Sequence, residues 1–335
     1  MKIWYDACTG KHIRYGATLA KHFRRLGHEV ALTTRTHPDT VALAKILDEK
    51  FIPIGKYDPK SLFTRLQESS KRTIELAKLF KNNIPDVAIS HQSVDMCRVA
   101  FGLNIPIILT ADTPYATAVN RLTIPLANTL VVSEAIPKRV FKNYGAQKIV
   151  QFKGVDEVAW IKGFKPSKSF KLEKPLIIVR QMETKASYAL GKTDTTEMVA
   201  RKLTSLGNVL FLTRYGKPKR KGLTIVKEFV DSASLVANAD LVVTMGGTIS
   251  REAALQGIPT IVISEFGKTY VNKHLSEKGF PLFIVDASKA LTTAKKYVGK
   301  KWDVEGRLAE LENPVEIIEA VTDKTLKTKG NIFSE

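Results

Sequence analysis

Residues that could bind a phosphate group follow one apolar run in the second half of the chain. The run Leu241–Thr244 ends at Gly246-Gly247, Thr248 follows, and a helical pattern continues to Gln256. Paired glycines allow backbone conformations closed to other residues, and the helix start presents N–H groups and the positive end of its dipole. We therefore predict an anion site at this turn, with Thr248 in the capping position.

A carboxylate lies on the same predicted helix. Glu252 comes four residues after Thr248, and therefore on the same helical face, where it could accept hydrogen bonds from a ribose diol. The spacing of the glycines is neither the six-residue dinucleotide fingerprint nor a Walker loop. A tight turn with an exposed Glu252 is therefore an alternative interpretation of the same residues.

The opening of the chain holds a second candidate site. The strand-like run Lys2–Tyr5 leads into a loop that contains His12, and a helix is predicted from about Tyr15. At the carboxyl end of the first strand of an open α/β sheet, His12 would face a ligand cleft. A neutral imidazole there could take a hydroxyl proton or hydrogen-bond a phosphate. The alternative is an ordinary exposed loop histidine.

Two more polar residues of the first half follow predicted strands. His91 comes after Val87–Ser90, and Asp112 comes after Pro106–Thr110. Either could be the general base instead of His12. Each could equally be a helix cap or a structural polar group that is satisfied internally.

Two arginines at strand ends of the second half are candidates for substrate binding. Arg180 follows the first strand of that half, and Arg214 follows the strand Asn208–Thr213. A guanidinium group matches the paired oxygens of a leaving diphosphate, which makes Arg180 a candidate for neutralising its charge.

The elements that must position these residues form two series of alternating strands and helices. The first series fills residues 1–150 and the second fills 175–322, with a mixed linker at 151–174 and a loose polar tail at 323–335. Parallel strands covered by helices are the arrangement that this alternation favours. The predicted fold is α/β, with two doubly wound Rossmann-like domains and a cleft between them.

The composition limits the possible partners. The chain has 335 residues and a net charge of +19, from 52 Lys and Arg against 33 Asp and Glu, and both halves are basic. Because no stripe or tail concentrates this charge, specific nucleic-acid binding is not expected. Phosphate-bearing donors and anionic membrane surfaces suit the charge better. Without an apolar run of bilayer length, we expect a cytoplasmic protein with peripheral membrane contact.

Three segments resemble the DUF354 family. They read MKIWYDACTGKHIRYGATLAKHFRRLGHEVALTTR, DTPYATAVNRLTIPLAN and GGTISREAALQGIPTI, and the resemblance covers almost the whole chain. That family looks like a branch of the GT-B superfamily, which includes MurG-like glycosyltransferases and non-hydrolysing UDP-N-acetylglucosamine 2-epimerases. The resemblance implies the GT-B fold.

The resemblance also implies roles for residues of the second domain. Gly246, Gly247 and Thr248 would bind the pyrophosphate of a nucleotide sugar, and Glu252 would bind the ribose. The segment VKEFVD, which precedes the glycine turn, would place two residues near the uracil base. These are Phe229 and Val230, with a core aromatic as the alternative for Phe229.

In the first domain the resemblance concerns one loop. Gly10, Lys11 and His12 are similar to the glycine-rich loop with a following His of MurG-like enzymes. Lys11 replaces an uncharged residue of that pattern, which adds a candidate phosphate contact.

The leading hypothesis is an inverting, metal-independent glycosyltransferase. It would use a UDP-sugar as substrate, with no cofactor and no metal, and no DxD motif is present. The acceptor would be lipid-linked or polysaccharide, at an anionic membrane surface. The first alternative is an enzyme like UDP-N-acetylglucosamine 2-epimerase, which needs several carboxylates; Asp95, Asp112 and Glu134 are available. The second is a nucleotide-sugar-binding protein without turnover.

Overall fold

Two parallel sheets with alternating helices form the framework of the protein. The structure, a computed structural model, describes residues 1–166, 173–184, 193–214, 222–226, 229–263 and 269–332. The chain divides into two units. Unit 1 comprises Met1–Ala159 and Asn313–Glu335, and unit 2 comprises Trp160–Glu312.

Unit 1 contains a seven-stranded sheet in the order β3-β2-β1-β4-β5-β6-β7. Its strands are β1 (Lys2–Ala7), β2 (Glu29–Thr36), β3 (Ile52–Lys56), β4 (Val87–Ser90), β5 (Ile107–Thr110), β6 (Thr129–Ser133) and β7 (Ile149–Phe152). Its helices are α1 (Gly10–Arg25), α2 (Pro38–Ile46), α3 (Leu62–Leu79), α4 (Val94–Gly102), α5 (Thr117–Thr123), α6 (Lys138–Lys142) and the last helix of the chain. The direction of strand addition reverses between β1 and β4, and ligands of open α/β sheets bind at such a switch point.

Helix α7 (Val158–Ile161) spans the boundary of the two units, and unit 2 follows with a six-stranded sheet in the order β10-β9-β8-β11-β12-β13. Its strands are β8 (Leu176–Arg180), β9 (Asn208–Leu212), β10 (Thr224–Ile225), β11 (Leu241–Thr244), β12 (Thr260–Ile263) and β13 (Leu282–Val285). Its helices are α8 (Thr196–Leu203), α9 (Ser232–Ala237), α10 (Thr248–Leu255), α11 (Tyr270–Glu277), α12 (Ala290–Tyr297) and α13 (Glu305–Ala309). Here the switch point lies between β8 and β11.

Burial on both faces explains why these strands are apolar runs. In β8, Ile177 and Val179 join the core on one face of the sheet. Leu176 and Ile178 join the core on the other face. Because successive side chains of a strand point to opposite faces, a parallel strand covered by helices on both sides has no polar side. The predicted class, α/β with two Rossmann-like domains, is confirmed.

The amino-terminal loop differs from the prediction. Helix α1 begins at Gly10, five residues before the predicted start at Tyr15, so Lys11 and His12 belong to its first turn. The Thr9 side chain caps this turn by accepting from the backbone N–H of His12. The hydroxyl cap stabilises a helix start that lacks apolar periodicity.

The boundaries of the domains also differ from the prediction. The expected linker 151–174 begins inside β7, which pairs with β6, and its residues 167–172 lie outside the described part of the chain. Residues 323–332 of the expected loose tail are instead the end of α14 (Pro314–Ile332), and residues 333–335 lie outside the described part of the chain. The apolar residues Val315, Ile318 and Val321 of this helix are buried at helical spacing, which returns the chain to unit 1.

None of the helices in the described ranges is both long enough and apolar enough to cross a lipid bilayer.

Candidate functional site

The switch point of unit 1 brings together the predicted catalytic residues. Helix α1 supplies Lys11 and His12, the residue after β4 is His91, and Asp112 lies two residues beyond β5. All of these positions follow the carboxyl ends of neighbouring strands, as predicted.

Lys11 lies among carboxylates. Its Nζ is 2.6 Å from Oδ2 of Asp112, 2.7 Å from Oδ2 of Asp156 and 3.7 Å from Oε1 of Glu157. The Lys11 side chain is only 9% exposed. In this position the ammonium group neutralises the protein's own acids, so the expected phosphate contact does not fit its surroundings. We call these four residues the lysine–carboxylate cluster.

His91 is buried and held on both ring nitrogens. Its Nδ1 is 2.7 Å from Oγ1 of Thr110, and its Nε2 is 3.3 Å from Oδ1 of Asp112. The hydroxyl of Thr113 also donates to Oδ1 of Asp112, at 2.8 Å. These contacts fix the orientation of the His91 ring. They also make Oδ1 of Asp112 a hydrogen-bond acceptor at the edge of the lysine–carboxylate cluster.

His12 has its own hydrogen bond to the backbone. Its Nδ1 accepts from the N–H of Cys8 at 3.2 Å, and its ring lies edge-on to that of His91 with centroids 5.0 Å apart. Burial, followed by the neighbouring His91 and the charges of Lys11 and Arg35, lowers the pKa of His12 well below its usual value. This bond assigns the proton of the neutral ring to Nε2. His12 therefore suits donation to a phosphate better than proton abstraction.

A buried amide pair connects the loops that carry His91 and Asp112. Gln92 has a positive φ of 56°, and its Nε2 donates to Oδ1 of Asn120 at 2.6 Å. Nδ2 of Asn120 in turn donates to the carbonyl of Pro114 at 3.0 Å. Asn120, which had no predicted role, thus connects the loop after β4 with the loop after β5.

Sequence reasoning missed two acidic residues of this site. Asp156 and Glu157 are buried and lie just beyond the end of β7, in the stretch predicted as a linker. The short run Ile149–Phe152, apolar except for Gln151 and followed by two acids, was the available signal, because it repeats the strand-end pattern of His91 and Asp112.

The other carboxylates proposed for an epimerase lie elsewhere. Asp95 belongs to a buried network, where Nη1 of Arg72 donates to it at 2.9 Å and the Ser69 hydroxyl also donates. Glu134 is exposed after β6. Asp156 and Glu157 therefore replace them beside Asp112.

Three side chains of this site have the geometry of a cation site. His91, Asp112 and Asp156 each offer one ligand atom, and these atoms lie within 4.8 Å of one another. One nitrogen and two carboxylate oxygens could hold a divalent ion. In this structure Nζ of Lys11 contacts both carboxylates and supplies the positive charge itself.

The glycine turn of unit 2 has the backbone geometry that the sequence predicts. Gly246 and Gly247 both have φ of 102°. The cap of α10 is Gly247 and not Thr248, which is the first helical residue, and none of the described side chains caps this helix. A Cβ atom on Gly247 would meet no described atom within 4 Å, so the described residues leave the space before the helix start open. The N–H of Gly246 already donates to Oγ1 of Thr244 at 2.8 Å, so an anion would bind the N–H groups that follow it at the helix start.

The two arginines lie beyond neighbouring strands β8 and β9. Arg180 ends β8, which pairs with β11, and its Nη1 is 3.5 Å from the carbonyl of Thr213. The register of β8 and β11 places Arg180 beside the start of the glycine turn. Arg214 is exposed and contacts the carboxylate of Glu183 at 3.2 Å, so part of its charge is already balanced.

Glu252 is buried, so the interpretation as an exposed residue is wrong. Its Oε1 accepts from Nε1 of Trp160 at 3.0 Å, and its Oε2 accepts from the Ser232 hydroxyl at 2.7 Å. A ribose would have to share these oxygens. Phe229 is 39% exposed and is therefore no core aromatic, whereas Val230 packs against the core. Lys227 and Glu228 of the same segment lie outside the described residues.

The two sheets and their switch points define the GT-B class of two Rossmann-like units, and solved structures agree. UDP-GlcNAc 2-epimerase of Methanocaldococcus jannaschii, in complex with UDP-GlcNAc and UDP, has a TM-score of 0.69 at 14% identity, over 96% of this chain and 99% of that chain. The spinosyn forosaminyltransferase SpnP has a TM-score of 0.60 at 12% identity, over 98% and 99%. MurG of Acinetobacter baumannii has a TM-score of 0.55 at 14% identity, over 96% and 99%.

The chain belongs to the DUF354 family, described as a protein of unknown function, which matches residues 1–327. It is also 32% identical to the uncharacterised protein MJ0665 of Methanocaldococcus jannaschii, over 95% of this chain and 96% of that protein. The family resemblance expected from the sequence is confirmed.

Proposed function

We propose that this protein is an inverting glycosyltransferase that takes its sugar from a UDP-sugar donor without a metal ion. The observation that carries the proposal is the glycine turn at the switch point of unit 2. There Gly246 and Gly247 open the start of α10, no side chain of the described ranges caps it, and Arg180 ends the adjacent strand. A diphosphate fits this combination of backbone donors and a guanidinium group.

In this reaction a hydroxyl oxygen of the acceptor forms a bond to the anomeric carbon as the bond from that carbon to the diphosphate breaks. The bonding electrons leave with UDP. The N–H groups at the start of α10 and Arg180 would stabilise the negative charge that develops on the diphosphate. The hydroxyl proton must pass to a base.

We assign the role of base to Asp112. Its Oδ1 accepts from Thr113 and lies beside His91, while its Oδ2 contacts Lys11, so the carboxylate is held in one orientation. His12 would donate from Nε2 to a substrate oxygen. This division of roles follows from the hydrogen bonds of the two side chains, because a donor nitrogen cannot accept the proton.

A 2-epimerase activity on a UDP-N-acetylhexosamine is the second candidate. It is favoured by one observation, the presence of Asp112, Asp156 and Glu157 in one cluster. A carboxylate would take the proton from carbon 2 as UDP leaves carbon 1, which gives an unsaturated sugar. Return of UDP to carbon 1 and of a proton to the other face of carbon 2 would complete the inversion.

One incubation separates these activities. The purified protein is mixed with UDP-N-acetylglucosamine in heavy water, with and without a cellular lipid extract, and the sugar products are followed by mass spectrometry and NMR. A transferase releases UDP only when an acceptor is present, and its sugar gains no deuterium at carbon 2. Deuterium at carbon 2 together with the mannosamine epimer would establish the epimerase instead. Binding of UDP with neither product would support a protein without turnover.

A further inference from the structure

The first turn of helix α3 carries an apolar cluster that is open to solvent. Leu62, Phe63 and Leu66 are 83%, 70% and 66% exposed. Residues three and four positions apart lie on the same face of a helix, so these side chains form one surface, which we call the α3 patch. Large apolar side chains exposed together mark an interaction surface.

The helix below the patch is well anchored. Ser61 and Thr64 form a capping box at its start. Near its middle, the buried Arg72 donates to Oδ1 of Asp6 at 2.6 Å and to the carbonyl of Ile54 at 2.9 Å. The apolar side chains are therefore presented from a fixed helix and do not belong to a frayed end.

Basic residues outnumber acids in the segment that leads into the α3 patch. Residues 50–66 contain Lys50, Lys56, Lys60 and Arg65 against the single acid Asp58. Lys56 and Lys60 are exposed, while Asp58 accepts from the backbone N–H of Lys60 at 3.0 Å. The whole protein carries +19. Exposed apolar side chains that follow exposed lysines in the sequence match an anionic bilayer, where acyl chains lie below a layer of phosphates.

A short series of contacts connects this segment with the candidate site of unit 1. The guanidinium carbon of Arg35 lies 4.1 Å from the ring centroid of Tyr57, in the segment before α3. Nε of Arg35 donates to the carbonyl of Cys8 at 2.9 Å, and the N–H of Cys8 donates to His12. These contacts link Tyr57, five residues before Leu62, to His12 within unit 1.

We propose that the α3 patch docks this protein on an anionic phospholipid bilayer. Leu62, Phe63 and Leu66 enter the acyl boundary, and Lys56 and Lys60 contact the lipid phosphates. A second part rests on the proposed function: a transferase that docks through unit 1, the unit that carries His12 and Asp112, takes its acceptor from membrane lipids with a phosphate head group.

Vesicle binding tests the docking without any sugar nucleotide. The full-length protein is sedimented with vesicles of phosphatidylcholine alone and of phosphatidylcholine with phosphatidylglycerol. We expect binding only to the anionic vesicles, weaker at high salt. The triple variant L62S/F63S/L66S should lower the bound fraction about tenfold or more, because it removes the apolar area that enters the bilayer. K56E/K60E should also lower it.

A control variant and a second measurement show whether a loss of vesicle binding is specific to the α3 patch. Met198 on α8 is 46% exposed, so Met198→Ser changes apolar surface away from the patch and should bind like the wild type. Circular dichroism melting checks that each variant is folded. Equal vesicle binding by the wild type and the folded triple variant would overturn the proposal. Light scattering that shows a dimer for the wild type and a monomer for the triple variant would also overturn the proposal, because a second copy would then occupy the patch.

The two parts of the proposal fail separately. Absence of vesicle binding by the wild type refutes the docking, whatever the enzyme does with UDP-sugars. Vesicle binding with no turnover of any UDP-sugar refutes the proposed function and leaves the docking in place.

Discussion

The ammonium group of Lys11 lies 2.6 Å from the carboxylate of Asp112, a residue that follows a different strand of the sheet and is 101 positions away. The same ammonium lies 2.7 Å from Asp156. It thus joins the segments that follow β1, β5 and β7. Lys11 is the counter-ion that lets several acids share one buried edge of the sheet.

Replacing Lys11 should therefore destabilise unit 1. Lys11→Met keeps the length of the side chain and removes its charge, which leaves the buried carboxylates uncompensated. We expect a loss of about 3–5 kcal/mol in the free energy of unfolding, measured in urea. Lys78→Met is the control, because Lys78 forms an exposed pair with Glu75 and such pairs contribute at most about 1 kcal/mol. Equal losses for the two variants would show that the lysine–carboxylate cluster has no special energetic role.

His12 should make stability depend on pH. Its pKa is lowered in the folded state, whereas in the unfolded chain it is about 6.5. Below that value the unfolded state binds a proton that the folded state does not, so His12 favours folding above the unfolded pKa and this contribution is lost as the pH falls.

The measurement compares the wild type with His12→Asn, whose side-chain oxygen can still accept from Cys8. Between about pH 7.5 and about pH 5.5, the wild type should lose about 1 kcal/mol more than the variant in urea unfolding. Parallel curves for the two proteins would contradict a lowered pKa at His12.

Glu252 should contribute to stability and, if it also holds a ribose, to binding. Glu252→Gln removes the charge that Trp160 and Ser232 donate to, which should cost about 1.5–3 kcal/mol of stability. Ser232→Ala removes one donor and keeps the buried carboxylate, so it should also cost about 1.5–3 kcal/mol. Calorimetric titration with UDP then separates the structural role of Glu252 from its role in binding the ribose, since only the Glu252 variant should lose affinity for UDP. Unchanged affinity would restrict Glu252 to holding Trp160.

Gly247 should be sensitive to an added methyl group because of its backbone. With φ of 102° and ψ of −176°, it lies in a region that other residues almost never adopt. Gly247→Ala should cost about 1–3 kcal/mol of stability and lower the affinity for UDP about tenfold, as the N–H groups of the turn shift. Gly299 is the control position, because it also has a positive φ and open space among the described residues but lies away from the turn. Gly299→Ala should leave the affinity for UDP unchanged. UDP binding by Gly247→Ala at wild-type strength would remove this turn from the site.

The sequence predicts most strands of both sheets because buried parallel strands are largely apolar, as Leu176–Val179 of β8 and Leu241–Val243 of β11 are. It also places His91, Asp112 and Arg180 correctly, since a polar residue directly after such a strand lies at the edge of the sheet where ligands bind. The other features of the candidate site depend on contacts between residues that are far apart in the sequence. Trp160 and Glu252 are 92 positions apart, and no local pattern shows that this carboxylate is buried.

Local signals also failed in two places. The start of α1 at Gly10 was missed because glycine is a poor helix former and the first turn has no apolar periodicity. Asp156 was missed because β7 has only four residues, of which Gln151 is polar, and so resembles a linker. In both places, packing in the folded unit overrides weak local preference.

The most direct test of the account is the release of UDP from UDP-N-acetylglucosamine by the wild type and by Asp112→Asn, with a lipid extract as the source of acceptor. We predict acceptor-dependent release by the wild type, and a decrease of about 10²–10⁴-fold for the variant with unchanged affinity for UDP, because only the base is lost. Release at the wild-type rate by Asp112→Asn, or failure of the wild type to bind UDP at all, would contradict the account.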